Sequence, residues 1–341
     1  MKISDYDYTL PKSLIADNPP NIRGSSRLLV LNRKSGKLHD DKYINITKYF
    51  KDGDVLVLND TKVIKARINI IDKHGSKREL LILEKHSFDS DWHRHSVLYR
   101  RKVRVGDEFT VEKNKIIIDK IIGDGVAIVK SDFDLLEIAE KYGEVPLPPY
   151  MKRDSNENDV LRYQTIWAKE QGSVAAPTAS LNMTDDILST LRSKGVIIVY
   201  ITLHVGLGTF LPIRSDNVEE HHMHEEYFKI SKNTTLEIQK VKLKGNKVIA
   251  LGTTVARTLE YASESLQKPA MDISGEADIF IYPGYKFRVV DCLITNFHAP
   301  KSTVLMLTAA FAGWENLLPA YNHAINEKYQ LLSYGDSMLI L

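Results

Sequence analysis

The chain has 341 residues, of which 43% are hydrophobic and 26% charged, a globular balance that excludes wholesale disorder. Its formal net charge of +2 sets up no global basic field of the kind that announces a nucleic-acid partner. A single cysteine, Cys292, excludes an internal disulfide and a cysteine-based metal cluster, and no apolar run approaches the roughly 20 residues of a spanning helix.

The N-terminus, MKISDYDYTLPKSL, carries Asp5 and Asp7 and has no apolar centre, so it does not read as a secretory signal. A cytoplasmic, reduced protein without membrane attachment is expected. Gly53-Asp54 makes a turn, and Val55 to Leu58 follow as a short buried strand. From about Lys62 to Val145 short β-rich runs (ELLILE, SVLYR, KIIIDKII, GVAIVK) alternate with Gly and Asp turns, the pattern of a small β-barrel or sandwich. GEVPLPPYMKR closes this segment as a stiff junction, because the residues before each proline are pushed out of helical conformation.

After the junction the texture changes. TDDILSTLRSKG predicts a helix, with Thr184 as its cap, acids in the first turn and Gly195 after it. VIIVYITLHV predicts a strand, TTLEIQKVKLKG a helix, KVIALGTT a strand and VARTLEYASESL a helix. DIFIYPG and VDCLITNF predict strands, followed by helices from Ser302 to Ala312 and from Trp314 to Glu327. Alternating strands and helices imply an α/β domain. The expected organisation is an α/β, barrel-like main domain built from residues 1–62 and 150–341, with a small β-barrel domain inserted at 63–149.

Several stretches could carry chemistry. GSVAAPTASLNMT, Gly172 to Thr184, is an uncharged run of mostly small residues, a backbone kept bare enough for a ligand to approach. Gly206-Leu-Gly208 follows a strand, as a dinucleotide-binding loop does, but the third glycine is absent and Pro212 opposes a helix there. In EEHHMHEEYF, His222 and His224 lie two apart and would face one side of an extended strand. They suit proton transfer or hydrogen bonding better than a metal, for no HExxH spacing is present. LITNFHAPKST puts Asn296, His298, Lys301 and Ser302 at the carboxyl end of an apolar strand, just before a helix. LGTTVARTLE repeats that arrangement with Thr253, Thr254 and Arg257, and two such rims predict a shared polar pocket. Between Lys62 and Lys115 stand fourteen Lys or Arg against eight acids, with a peak at YRRKVR, Tyr99 to Arg104.

Taken together, YTLPKSLIADNPPNIRGSSRLLVL, GDVLVLNDTKVIKARI, EVPLPPYMKR, YQTIWAKEQGSVAAPTA, ITLHVGLGTFLPI, HHMHEEYF, ALGTTVARTLE, DIFIYPGYKF, LITNFHAPKST and YGDSMLI resemble the S-adenosylmethionine:tRNA ribosyltransferase-isomerase family of queuosine synthesis. The blocks run in matching order from Tyr8 to Ile340. The resemblance implies an enzyme that takes S-adenosylmethionine as ribosyl donor and no metal or further cofactor. Its acceptor would be the aminomethyl group of 7-aminomethyl-7-deazaguanine in tRNAs of GUN anticodon, and adenine and methionine would leave. A monomer is expected.

That chemistry places demands on residues. The sulfonium acidifies the neighbouring ribose C5′ hydrogens, and His204, His222, His224 and Asp60 are candidate bases. His298 and Asn296 could assist the departure of adenine. The methionine carboxylate and ammonium need opposite charges, for which Arg257 or Arg27 and Glu225 are candidates. Asn59, Thr61, Lys62, Ala176, Pro177, Thr178, Asn182, Gly206, Gly208, Thr209, Thr253, Thr254, Lys301 and Ser302 complete the expected substrate site, and Arg100, Arg101, Lys102 and Arg104 the expected tRNA contacts. The family's AAPTAGLHFT departs here to AAPTASLNMT: Ser180, Asn182 and Met183 stand for glycine, histidine and phenylalanine. Asn182 cannot transfer a proton at neutral pH and Met183 stacks poorly on a base. Two other readings therefore stand beside the first, a free small-molecule acceptor and a non-catalytic tRNA-binding descendant.

Overall fold

The computed structural model describes residues 1–86, 91–206, 208, 213, 215–221 and 223–341. The main sheet draws on strands β1 (Arg27–Leu31), β2 (Leu38–Lys42) and β3 (Val55–Asn59). A short strand, β4 (Thr61–Val63), then leads into the barrel strands β5 (Arg67–Asp72), β6 (Lys77–Ile82), β7 (Arg94–Tyr99), β8 (Glu108–Val111), β9 (Asn114–Gly123) and β10 (Val126–Ser131). Helix α1 (Leu135–Tyr142) and β11 (Gly143–Glu144) end this excursion, and α2 (Glu157–Arg162) and β12 (Glu170–Ser173) lead back. The remainder runs α3 (Asp185–Ser193), β13 (Ile197–Leu203), β14 (Glu226–Ile230), α4 (Lys232–Leu243), β15 (Val248–Leu251), α5 (Thr253–Tyr261), β16 (Ile273–Ala277), β17 (Cys292–Asn296), α6 (Thr303–Ala312), α7 (Trp314–Asn326) and β18 (Ser337–Ile340).

Nine strands form the main sheet in the order β16-β14-β13-β3-β15-β17-β18-β1-β2, running open between the edge strands β16 and β2. Its centre, β13-β3-β15-β17, is parallel. Both faces are covered, which is why these strands read as continuous apolar runs. Alternate residues divide between two cores: Leu29, Val55, Val57, Ala250 and Leu293 pack with α4 to α7, while Leu28, Leu56, Leu58, Leu251 and Ile294 pack with α3 and the turn around Tyr43 and Ile46. Cys292 is buried in the second core, where burial pushes its thiol pKa up.

The excursion is a closed barrel. Strands β5-β6-β7-β10-β9-β8 pair in that order and β8 returns to β5, around a separate core that includes Ile68, Leu80, Val97, Phe109, Ile116 and Val129. The mixed α/β class with an inserted β-barrel agrees with the expectation. One element differs: DIFIYPG is irregular, and the edge strand is Ile273–Ala277 before it. The apolar residues of that stretch do not pair in a sheet. Ile279, Phe280, Ile281 and Tyr282 instead pack as side chains against the core beside α5 and α6, and Pro283-Gly284 turns the chain.

Candidate functional site

Three parallel strands end at one polar pocket. β15 runs into Gly252-Thr253-Thr254, β17 into Thr295-Asn296-Phe297-His298, and β13 into Val205. The uncharged Ala176–Ala179 stretch, Tyr150, Ser302, Val304, Leu332 and Ser333 close the rest of the wall. This is the carboxyl rim of an α/β sheet, where loops are free of ladder bonding and ligands bind. The bare backbone at Ala176-Pro177 meets that rim directly.

His298 is the histidine of this lining. Its Nε2 lies 2.7 Å from Thr295 Oγ1, its backbone N–H donates to Tyr321 OH, and its carbonyl accepts from Tyr8 OH. Burial pushes its pKa down to about 3, so the ring is neutral at physiological pH. A neutral imidazole accepts a proton or donates an N–H bond, so any assistance by His298 to the departure of adenine is by hydrogen bonding. Thr178 Oγ1 donates to Asn296 Oδ1 at 3.0 Å, fixing the amide at the pocket wall. Tyr150, which the sequence reading passed over, hydrogen-bonds Ser333 Oγ. Its only advance signal was its place after Pro148-Pro149.

A second concavity, a groove larger in volume, lies alongside, lined by Asp60, Lys85, Lys169, Glu170, Thr202, His204, Tyr227 and Lys229 among others. The groove and the pocket are built from the same segments, since Gln171 and His204 face one while Ala176 and Val205 face the other. His204 Nδ1 lies 2.8 Å from Thr61 Oγ1, and its ring stacks on Tyr227. Burial, then Lys85 and His86, hold its pKa at about 3. Asp60 accepts from Thr202 Oγ1 at 2.7 Å, and burial raises its pKa above the usual carboxylate value. Asn59 lies behind the groove, stitching β3 to β13 through Leu203 N–H and C=O and accepting from Thr61 N–H.

Other expected site residues lie elsewhere. Asn182 is buried, donating to Gly335 O and Ser337 Oγ and accepting from Ser26 Oγ at 2.7 Å. Met183 is fully buried in the core beneath α3. Ser180 is fully buried as well, so all three departures from the family pattern are buried positions. Arg27 stacks over Tyr329, 3.7 Å from its ring centroid, and donates to Glu327 O, away from the pocket lining. Arg257 is buried and ion-paired with Glu226, which also accepts from Gly206 N–H. Lys301 reaches Asp7 at 2.7 Å. Lys62 is half-buried on β4, and His224 and Glu225 are exposed, with Gly208 leaving room for the His224 ring. Thr209 and His222 lie outside the described residues. Arg100, Arg101, Lys102 and Arg104 are exposed on the barrel, Arg100 against Glu79 at 3.4 Å. Among the described residues no group of three or more His, Cys, Asp or Glu could hold a metal ion, and no helix is long and apolar enough to cross a membrane.

The fold and site together are an α/β sheet with a pocket on its carboxyl rim and a closed barrel appended to the same chain. The family described as Queuosine biosynthesis protein matches residues 3–340, and the chain belongs to it. A protein of Pelodictyon phaeoclathratiforme named S-adenosylmethionine:tRNA ribosyltransferase-isomerase is 51% identical over 100% of both chains, and one of the same name from Chlorobium phaeobacteroides is 50% identical over the same coverage. The crystal structure of S-adenosylmethionine tRNA ribosyltransferase from Thermotoga maritima is 32% identical, covers 99% of this chain and all of its own, and superposes with a TM-score of 0.57.

Proposed function

We propose that this enzyme transfers and isomerises the ribosyl moiety of S-adenosylmethionine onto 7-aminomethyl-7-deazaguanine in tRNA, giving epoxyqueuosine-tRNA with release of adenine and methionine. The observation that carries the reading is half-identity over the full length to relatives bearing that activity as their name. The geometry supports it: the uncharged pocket suits a nucleoside, and the exposed cations of YRRKVR suit tRNA phosphates.

In this reading the donor lies in the carboxyl-rim pocket. A neutral histidine, His298 there or His204 in the adjoining groove, accepts the proton lost from C5′ beside the sulfonium, with Asp60 a further candidate. Adenine takes the electrons of its glycosidic bond, assisted by hydrogen bonds from the Asn296 and Thr178 wall. The acceptor amine forms the new C–N bond and gives up a proton, the adenine anion takes up one from solvent, and the sulfur leaves as neutral methionine while the sugar rearranges. No metal or second cofactor enters. The finer parts of the reading are division into a catalytic domain (1–62 and 150–341) and a tRNA-binding insert (63–149), action on GUN-anticodon tRNAs, and a cytoplasmic monomer.

The test is adenine release from S-adenosylmethionine with tRNA carrying 7-aminomethyl-7-deazaguanine, beside unmodified tRNA and the free base. Adenine formed only with the modified tRNA supports the proposal. Release with the free base alone, or with no acceptor, overturns it.

A further inference from the structure

We propose that the N-terminus of α5, at Gly252-Thr253-Thr254, is the subsite for the carboxylate of the methionine half of S-adenosylmethionine; this rests on the donor reading above. The donor carries an α-carboxylate, yet the pocket lining contains no Lys, Arg, Asp or Glu among the described residues. Arg257 is committed to Glu226, Arg27 to Glu327 and Tyr329, and Lys301 to Asp7. Recognition of the carboxylate therefore falls to amides, hydroxyls and the helix dipole.

Two helices open onto the pocket, and they differ. At α6 the Ser302 hydroxyl accepts from Leu305 N–H, so that end is capped from within the chain. At α5 the cap is Gly252, which has no side chain to offer and sits at φ 103°, a conformation that glycine adopts without strain. The first-turn amides have no intrahelical acceptors and face outward with the positive end of the dipole. The independent observation is Thr254. Its residue is 9% exposed, and its hydroxyl is buried with no hydrogen-bond partner. That hydroxyl stands over Gly252, 3.5 Å from where a Cβ would project, and Thr254 lines both the pocket and an adjoining crevice whose wall is apolar at Ile279, Phe280, Ile281 and Leu307 and charged at Arg257, which is ion-paired with Glu226. A buried hydroxyl left idle at an uncapped helix end is matched by an anion. The crevice beside it suits the methylene chain that joins carboxylate to sulfonium.

The experiment is calorimetric titration, without tRNA, of S-adenosylmethionine and of its decarboxylated analogue into the native chain, Thr254→Val and Thr254→Ser. Unfolding midpoints confirm that the variants fold. The native chain is expected to bind S-adenosylmethionine about tenfold more tightly than the analogue. Thr254→Val should lose about tenfold for S-adenosylmethionine and nothing for the analogue, with Thr254→Ser restoring the difference. Equal affinity of the native chain for both ligands overturns the subsite and leaves the donor reading standing, as does a Thr254→Val loss shared equally by both. Failure of the native chain to bind either ligand overturns the donor reading and the subsite with it.

Discussion

His204 and His298 both have pKa values held near 3, against an ordinary value of about 6.5. Between these limits the unfolded chain binds a proton at each site and the folded chain does not, so folding stability falls as pH drops from about 6.5 toward 3. Each group contributes about 1.4 kcal/mol per pH unit inside that window and nothing above it. His95, lowered mainly by burial, adds in the same sense. Urea unfolding of the native chain at stepped pH should show this decline, and His298→Gln should make it shallower by about one histidine's share. An unchanged slope in the variant would mean that His298 charges in the fold. Asn182 poses the opposite case, a residue marked by its departure from a family pattern and found to be a buried hydrogen-bonding node. Asn182→Ala leaves Ser26, Gly335 O and Ser337 short of partners and should cost about 2–3 kcal/mol, with kcat and KM of the folded protein unchanged. Turnover lost at full stability would place the side chain in the chemistry instead. Sequence could not separate these cases, because a side chain's direction at 182 depends on β18 and the 333–337 turn, contributed from far along the chain.

At the scale of elements, β12 shows how a strand end shapes a site. Gly172 has φ +145°, and a Cβ there would stand 2.9 Å from His204 Nε2 and 2.7 Å from Lys85 Cβ. Gly172→Ala should therefore displace the His204 ring from Thr61 and lower kcat at least tenfold while changing S-adenosylmethionine affinity little, because the carboxyl-rim pocket lies on the other side of that segment. A variant whose affinity falls as far as its turnover would show that the groove and the pocket are one site. Elements legible in advance were those with a local signature: α3 from its Thr184 cap, β13, β15 and β17 from apolar runs, and the helices at 303–312 and 314–326 from punctuation by Ser302 and Gly313. DIFIYPG failed because a short continuous apolar run satisfies a strand pattern whether its residues pair in a sheet or simply bury their side chains in a core. The two rims at 252–254 and 295–302 were rightly expected to share a pocket. That His204 and Asp60 line a different concavity was not, since it depends on which side of β13's end each side chain leaves.

For the whole molecule, the barrel's attachment is the informative feature. Its entry and exit strands are neighbours, for Gly143 pairs with Ile68 and Glu144 with Arg67, so the excursion leaves and rejoins the main domain at nearly one place. The six strands close, which leaves no open edge, and the core is drawn almost wholly from residues 64–139, with Val174 the exception. The chain's two ends, by contrast, are locked together: β18 lies between β17 and β1, and Ile15 bridges Leu331. The fragment 63–149 should accordingly fold alone and bind tRNA weakly, with an affinity that falls steeply with salt. Replacing both Arg101 and Arg104 by alanine should reduce the slope of log K against log salt by roughly 0.7–0.9 for each phosphate contact removed. The complementary chain, with 62 joined to 150 through a short flexible linker, should retain S-adenosylmethionine binding and lose tRNA. Circular dichroism and a filter-retention titration at two salt concentrations decide it. Retention of full tRNA affinity by the barrel-less chain would move the RNA surface to the lysine-bearing groove beside His204, and with it the place where the acceptor base meets the donor.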